Sequence, residues 1–337
     1  MSAISRRTAA LVLLALTPLA ASAQTDWKPD RPVTIVVPFP PGGTADQVAR
    51  LVAVEMEKSL GQRFVVTNQP GATGAIGARA VRDAAKDGYT WLGTAHRLVG
   101  TYAIMGDVKV GLDEFHQFLA ITNVPVISVA SSASYNDFAP LLAALKDKPG
   151  QLSVGTAGPA TSGHFAMEAL AQTTNVKYKH VTYQGGAPAV LSTVTGETLI
   201  NAELASDQAE MIRSKRLKPL AALSATPLEI KGYGTIPSIN KWVPNMPAVT
   251  TQFGILIPKG VPQNVVDTVT RIWTEKMATS AALKTWADER GALVTVLSGK
   301  AAQDAVWPTV VSSAWMMHSA GLTRASPETI GIPPLGR

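Results

Sequence analysis

The sequence predicts an open-sheet α/β protein built as two lobes, and three observations carry that prediction. Its 337 residues exceed the roughly 100 to 150 of a usual single domain. An early stretch alternates apolar β-branched runs with helical periodicity three times, the pattern of covered parallel strands and their flanking helices. A second series of the same kind begins near Val126.

In the first series Val33 to Val37 is nearly apolar throughout, as in a strand covered on both faces. After the turn Pro38 to Thr44, Val48, Leu51, Val52, Met56 and Leu60 recur at helical spacing as far as Gly61. Phe64 to Val66 is the next strand, Ala75 to Ala85 the next helix and Tyr89 to Leu92 the third strand. The second series runs strand Val126 to Ala130, helix Phe138 to Leu145, strand Leu152 to Gly155 and helix Phe165 to Gln172. Strand Lys179 to Tyr183, helix Ala187 to Val194 and strands Glu197 to Ala202 and Pro219 to Leu223 complete it. Pro, Gly, Asn and Ser crowd Ser224 to Thr250, which reads as a long irregular connection. Beyond it lie a strand over Gln252 to Pro258, two helices, a strand over Leu293 to Leu297 and a helix over Ala301 to His318, with Pro308 starting or kinking its final part. The tail from Ala325 reads as extended. The expected lobes are residues 24–124 with 251–337, and 125–250.

Residues 1–23 read as a secretory leader. Arg6 and Arg7 precede the apolar stretch Ala9 to Leu19, and Ala21-Ser22-Ala23 is a small-residue cleavage site. Thr8-Ala9-Ala10 favours ordinary secretion over the twin-arginine route, so export from the cytoplasm is expected. Losing the leader lowers the net charge from +6 by two to +4, too mild for a nucleic-acid binder but suited to an anionic small ligand. Hydrophobic residues at 46% and a mean hydropathy of +0.13 supply a packed core. The absence of cysteine excludes disulfides, thiolate metal sites and cysteine nucleophiles.

Two turns share one design. Pro38 to Asp46 and Thr156 to His164 each lie between a buried strand and a helix, at matching points of the two series. Glycines let backbone approach a ligand, and a first helical turn presents unpaired N–H groups and partial positive charge, so each turn is a candidate anion cradle. A third turn, Pro70 to Gly77, fits neither the dinucleotide G-x-G-x-x-G spacing nor a Walker pattern.

The stretches Arg31-Pro32-Val33, Pro38-Phe39, Gly42 to Asp46, Pro70-Gly71-Ala72, Ile76-Gly77 and Asp87 to Thr90 together resemble the solute-binding proteins of tripartite tricarboxylate transporters, the Bug family. The likeness continues through Gly155, Gly158, Ser162, His164, His180-Val181, Tyr183-Gln184-Gly185, Pro188-Ala189, Pro258 to Pro262 and Trp315. It implies a type II periplasmic-binding-protein fold, each lobe a mixed or parallel sheet flanked by helices, with the ligand in the cleft between lobes. It also implies a carboxylate held by one loop from each lobe and by ordered water, transporter membrane subunits as docking partners, a single chain and no cofactor or metal. Carried over position by position, the ligand-binding residues are Phe39, Gly42, Gly43, Thr44, Ala45 and Asp46, with Ala72 and Thr73, and Gly158, Thr161, Ser162, His164 and Tyr183.

Departures from the family pattern bear on the ligand. Ala95-His96-Arg97 follows the third strand, where loops point into the crevice, and Arg97 offers a planar fork for a carboxylate with His96 as a second donor. The alternative is a rim pairing of Arg97 with Asp107 or Asp113. The first reading gives the ligand two acidic ends. With Phe39, Trp91, Tyr102, Phe165 and Tyr183 near such turns, an aromatic dicarboxylate such as terephthalate fits. Thr182 in place of a frequent proline, Phe253-Gly254 and the long tail depart further.

Two other classes compete. A serine hydrolase would use Ser162, His164 and Asp46, but Ala160 to His164 lacks the G-x-S-x-G elbow, and the five histidines show no metal-binding spacing. A sensor docking on a signalling partner would share the fold with a transport receptor.

Overall fold

The computed structural model describes residues 26–106, 108–247 and 249–335. The leader and Asp107 lie outside the described residues. The chain runs β1 (Val33–Val37), α1 (Thr44–Leu60), β2 (Phe64–Asn68), α2 (Ala75–Asp83) and β3 (Thr90–Ala95), then the single-turn helices α3 (His96–Val99) and α4 (Tyr102–Met105) and strand β4 (Phe115–Asn123). The next part is β5 (Pro125–Ala130), α5 (Phe138–Asp147), β6 (Ser153–Thr156), α6 (Ser162–Thr174), β7 (Lys179–Thr182), α7 (Gly186–Val194), β8 (Ile200–Leu204), α8 (Ala205–Arg213) and β9 (Leu217–Ala222). A small hairpin, β10 (Leu228–Ile230) with β11 (Gly234–Ile236), precedes β12 (Thr251–Pro258), α9 (Gln263–Glu275), α10 (Ala281–Arg290), β13 (Leu293–Ser298) and α11 (Gly299–Ser319).

Two large sheets result, apart from the two-stranded β10–β11 hairpin. The first has the order β13-β4-β12-β3-β1-β2 and the second β7-β6-β8-β5-β9. In the first, β1 pairs parallel with β2 and β3, while β12 runs antiparallel between β3 and β4. In the second, β6 is parallel to β7 and β8, and β5 is antiparallel to β8 and β9. The apolar runs read from sequence are the buried strands: Val33, Ile35 and Val37 are fully enclosed, as are Val126 and Val129. Burying one such side chain contributes roughly 1.5 to 3 kcal/mol, which explains why these segments pair inside their sheets.

The crossings between sheets lie side by side. Leu223 N–H donates to Pro125 O at 2.9 Å and Val249 N–H to Leu223 O at 3.0 Å, so the exit and the return are hydrogen-bonded together. Strands β1, β3, β6 and β8 all end toward the seam between the sheets, which places the following turns there.

Several elements differ from the sequence reading. β4 and α8 were not expected. β8 starts three residues later than read, because Glu197 belongs to the exposed turn after Gly196. α11 runs unbroken across Pro308, which sits on the outer face with exposed Asp304, the residue whose carbonyl loses its helical donor to the proline. The tail is not simply extended: residues Pro327–Ile330 form a 3₁₀ turn, Ile332 is buried, and Trp315 Nε1 donates to Pro333 O at 2.6 Å.

Candidate functional site

The first corner joins β1 to α1. Gly42 has φ +92°, a left-handed turn that a side chain resists, and Gly43 caps the helix in extended conformation. The Asp46 carboxylate folds back over the turn, accepting from Gly42 N–H at 3.0 Å, Asn68 Nδ2 at 2.9 Å and Arg50 Nε and Nη2 at 3.0 and 2.9 Å. Burial pushes its pKa up, but the Arg50 guanidinium with the Gly42 and Asn68 donors holds it below the usual carboxylate range. Asp46 therefore braces the turn. Thr44 does something the sequence did not indicate: its N–H and its hydroxyl both donate to Oδ1 of Asp207, on α8 of the other lobe, at 2.8 Å each.

The second corner joins β6 to α6. Ala157 N–H donates to Oε1 of Glu203 at 2.5 Å, and Thr161 Oγ1 donates to Gly158 O at 2.7 Å. His164 is wired internally. Its Nδ1 accepts from Ala160 N–H at 3.1 Å, its ring stacks on His180 at 3.9 Å, and its Nε2 lies 3.6 Å from Glu168. Burial, then the adjacent His164, push His180 down to about 4, and His180 Nε2 pairs with Thr156 Oγ1 at 2.6 Å. Ser162 Oγ meets Thr251 Oγ1 of the first lobe at 2.9 Å, so its hydrogen-bond partner is a hydroxyl and not a histidine. Gly163 is obligatory for packing: a Cβ there would sit 1.7 Å from Ala202 O, so no larger residue lets α6 start against β8.

The corners face each other across a narrow cavity of about 50 Å³. Of the sequence-predicted residues, Phe39, Gly43, Thr44, Ala45, Thr161 and Ser162 line it, joined by Glu203, Asp207 and Phe253. Two wider cavities adjoin it along the seam. One of about 280 Å³ is lined by Ala72, Thr73, Gly158 and Tyr183, and one of about 330 Å³ by Ala72, Thr73, Tyr102, Ala160 and Arg324. Ala72 and Thr73 hold φ of +46° and +52°, with Tyr102 Oη donating to Thr73 O at 3.1 Å. Gly42, Asp46, His96, Arg97 and His164 line none of these three. Trp91, one of the aromatics expected near the ligand, is instead core, packed on Phe64 and Trp27.

His96 and Arg97 open α3 and are fully buried. Burial pushes His96 down to about 4, against a smaller opposing pull from the backbone of Ile255, Thr94 and Gln252, so it is neutral. Arg97 reaches across the seam. Its Nη2 donates to Ala160 O of the second lobe at 3.1 Å, its guanidinium carbon lies 5.0 Å from the Phe165 ring centroid, and Nε and Nη1 have no hydrogen-bond partner. Burial brings its pKa down to about 10, leaving it cationic at neutral pH. It forms no rim pair with the exposed Asp113.

Glu203 and Asp207 are the site residues that the sequence reading missed. The available signal was an acid inside the apolar run Leu199 to Leu204, at a strand end facing the seam. Burial first, then Asp207, raise the Glu203 pKa well above the carboxylate range, and burial raises Asp207 to about 6 despite the Thr44 donors.

This arrangement of two open sheets, two crossings and a seam lined by strand-turn-helix corners is the two-lobed fold of the periplasmic binding proteins. The solved periplasmic binding protein BugD shares the fold at a TM-score of 0.79 and 24% identity, covering 88% of this chain and 99% of its own. Residues 48–303 match the family described as tripartite tricarboxylate transporter family receptor, and the chain belongs to that family of solute-binding proteins. It is 36% identical over 268 residues to the UPF0065 protein of the tcbD-tcbE intergenic region of a Pseudomonas species, covering 78% of this chain and 79% of that one. It is 26% identical to Rpa4515 of R. palustris, a structure containing adipate, with a TM-score of 0.80 and coverage of 88% and 99%. Among the described residues no helix is long and apolar enough to cross a membrane.

Proposed function

We propose that this protein captures a carboxylate with an acidic group at each end in the seam between its lobes, and delivers it in the periplasm, as a single chain, to membrane subunits of a tripartite tricarboxylate transporter. The observation that carries the two-ended reading is Arg97: a fully buried guanidinium, cationic at neutral pH, with Nε and Nη1 lacking any acceptor. It is set behind the lining of the seam cavities, so it meets a ligand only when the lobes part. Leaving such a group without a counter-ion is costly, and a carboxylate is the acceptor whose geometry matches the fork. The likeness to an adipate-bound protein supports a dicarboxylate. Phe39 and Phe253 beside the narrow cavity support an aromatic one such as terephthalate.

The test is a thermal-shift panel of mono-, di- and tricarboxylates, aliphatic and aromatic. A ligand of the native state raises the unfolding midpoint by mass action, about 2.7 kcal/mol at one hundred times Kd. Adipate or terephthalate shifting the midpoint without being chemically converted supports the reading. A panel with no shift, or turnover of the bound acid, rejects it.

A further inference from the structure

We infer that Glu203 is a ligand-binding residue that keeps its proton at the inner wall of the seam and donates it to one carboxylate of the captured acid, with Asp207 as the positioning residue that keeps the proton there. This deepens the carboxylate reading above and rests on it.

Glu203 is the next-to-last residue of β8, is 2% exposed, and lines the narrow cavity. Its Oε1 accepts from Ala157 N–H and the backbone N–H of Leu204 also donates to the carboxyl, so the proton is assigned to Oε2, the oxygen that Ala157 does not engage. Asp207 lies four residues on, in the first turn of α8, with Oδ1 committed to the N–H and hydroxyl of Thr44. Gly186 allows this approach, since a Cβ there would lie 2.4 Å from Asp207 Oδ2. Two carboxyls therefore share one cavity that no lysine or arginine lines.

The surrounding elements place no compensating charge in this cavity. On α3, His96 is neutral and Arg97 is turned to Ala160 O and the Phe165 ring, and neither lines the cavity. Lys179 of β7 is exposed, and Lys218 of β9 donates to Ala133 O and Asn136 Oδ1. On α1, Asp46 and Arg50 pair with each other; on α6, His164 faces Glu168; His180 of β7 stacks on His164. On α8, Glu210 pairs with Arg213 and approaches Arg290 of α10. β5, β6 and α7 bring no charged side chain. With both acids ionised, an incoming carboxylate would add a third negative charge to an enclosed space, at a cost that grows as water is excluded. A carboxyl held neutral is a donor instead, and an O–H···O⁻ bond to a carboxylate is among the stronger hydrogen bonds. Burial and the adjacent Asp207 both favour the neutral form of Glu203, opposed more weakly by the backbone N–H groups of Ala157 and Leu204. The sequence alone showed two amide-lined corners; the structure shows that two of those amides, Thr44 and Ala157, already hold these acids.

The experiment is calorimetric titration of adipate and of terephthalate into the full mature protein between about pH 6.5 and 8.5, where both diacids are fully ionised, in buffers of different ionisation heat. Capture that needs the Glu203 proton takes up proton from buffer at the alkaline end, and affinity falls by up to about tenfold per pH unit there. Glu203→Gln, which retains an N–H donor, keeps binding but loses the slope and the proton uptake. Asp207→Asn, which keeps an acceptor for Thr44 and removes the neighbouring charge, moves the onset of the slope to lower pH. Affinity independent of pH with no proton uptake overturns the proposal, as does a Glu203→Gln protein with the wild-type slope. If no carboxylate binds at any pH, the carboxylate reading itself fails; tight binding without a slope removes only the role of Glu203.

Discussion

Asp207, carried by the second lobe, accepts both the backbone N–H and the hydroxyl of Thr44, the first residue of the helix that opens the first lobe. The cap of α1 is thus supplied from across the seam. Asp207 also meets the partial positive charge of that helix end, so contact between the lobes and satisfaction of the helix terminus are one interaction.

Thr44→Val removes the hydroxyl while leaving the N–H. The contacts of Oγ1 with Asp207 and Ser206 disappear, and the Asp207 carboxylate keeps one donor in place of two. A loss of about 1.5 to 3 kcal/mol is expected, because hydrogen bonds to charged groups lie in that range. Urea unfolding measures it, and small-angle scattering of the ligand-free protein should show a larger radius of gyration if the lobes separate more readily. An unchanged midpoint would mean that the seam contact contributes nothing net.

Arg97→Met should give effects of opposite sign on stability and on binding. The wild-type side chain is a buried cation with a single hydrogen bond, to Ala160 O, and a ring contact with Phe165. An apolar side chain of similar length removes an uncompensated charge, a change that is neutral or stabilising by about 1 to 4 kcal/mol where it has been made at buried ion sites. The ligand-free melting point is therefore expected to rise. Dicarboxylate affinity is expected to fall by at least about tenfold, the equivalent of one lost charge-assisted hydrogen bond. A variant that melts higher and still binds adipate and terephthalate like wild type would separate Arg97 from the ligand.

Gly163→Ala tests the close approach that sets the second corner. The added Cβ would lie 1.7 Å from Ala202 O, a backbone atom of the central strand β8, so neither partner can move away without breaking its ladder. Overpacking of this kind costs roughly 1 to 3 kcal/mol or more. Soluble yield and the denaturation midpoint should both drop. Gly150→Ala is a useful control, because a Cβ there meets nothing within 4 Å although its φ of +75° adds some strain.

How much of this was legible beforehand depends on the range of the interaction. The apolar run Val33 to Val37 and the glycines at 42, 43, 158 and 163 are local signals, and they mark strands and turns that the structure contains. β4 was missed because its long run from Phe115 to Asn123 carries His116, Gln117 and Asn123, and only its place between β12 and β13 makes a central strand of it. α8 was missed because its inward face is built of Ala205, Ala209 and Ile212, a weak apolar stripe. The acids that answer the corners were invisible for a different reason. Thr44 and Asp207 lie 163 residues apart, as do two lobes that have to be folded before they touch. Arg97 was legible as a cation after a strand, but its burial and its contact with Ala160 were not.

The last prediction concerns acid. His96 is fully buried among Thr94, Gln252 and Ile255, and burial holds its pKa at about 4, against 6.5 for an unfolded chain. A histidine whose pKa is lowered by folding binds its proton more readily when unfolded, so the stability it permits is complete above about pH 6.5 and is lost as the pH falls toward 4. Each pH unit across that window costs about 1.4 kcal/mol. Asp207 works in the other direction, since its raised pKa of about 6 makes the folded state the better proton binder over the same range. His180, also held at about 4, adds to the His96 slope and the raised Glu203 adds to that of Asp207, so the wild-type curve alone mixes contributions of both signs. His96→Leu separates them: it removes the buried imidazole and leaves Asp207 in place. The variant should match wild type within about 1 kcal/mol at pH 7.5 and exceed it by roughly 2 kcal/mol at pH 5, measured by urea unfolding at both values. A difference that stays constant between the two pH values would mean that His96 gains its proton in the folded protein as easily as in the unfolded one, which its enclosure does not permit.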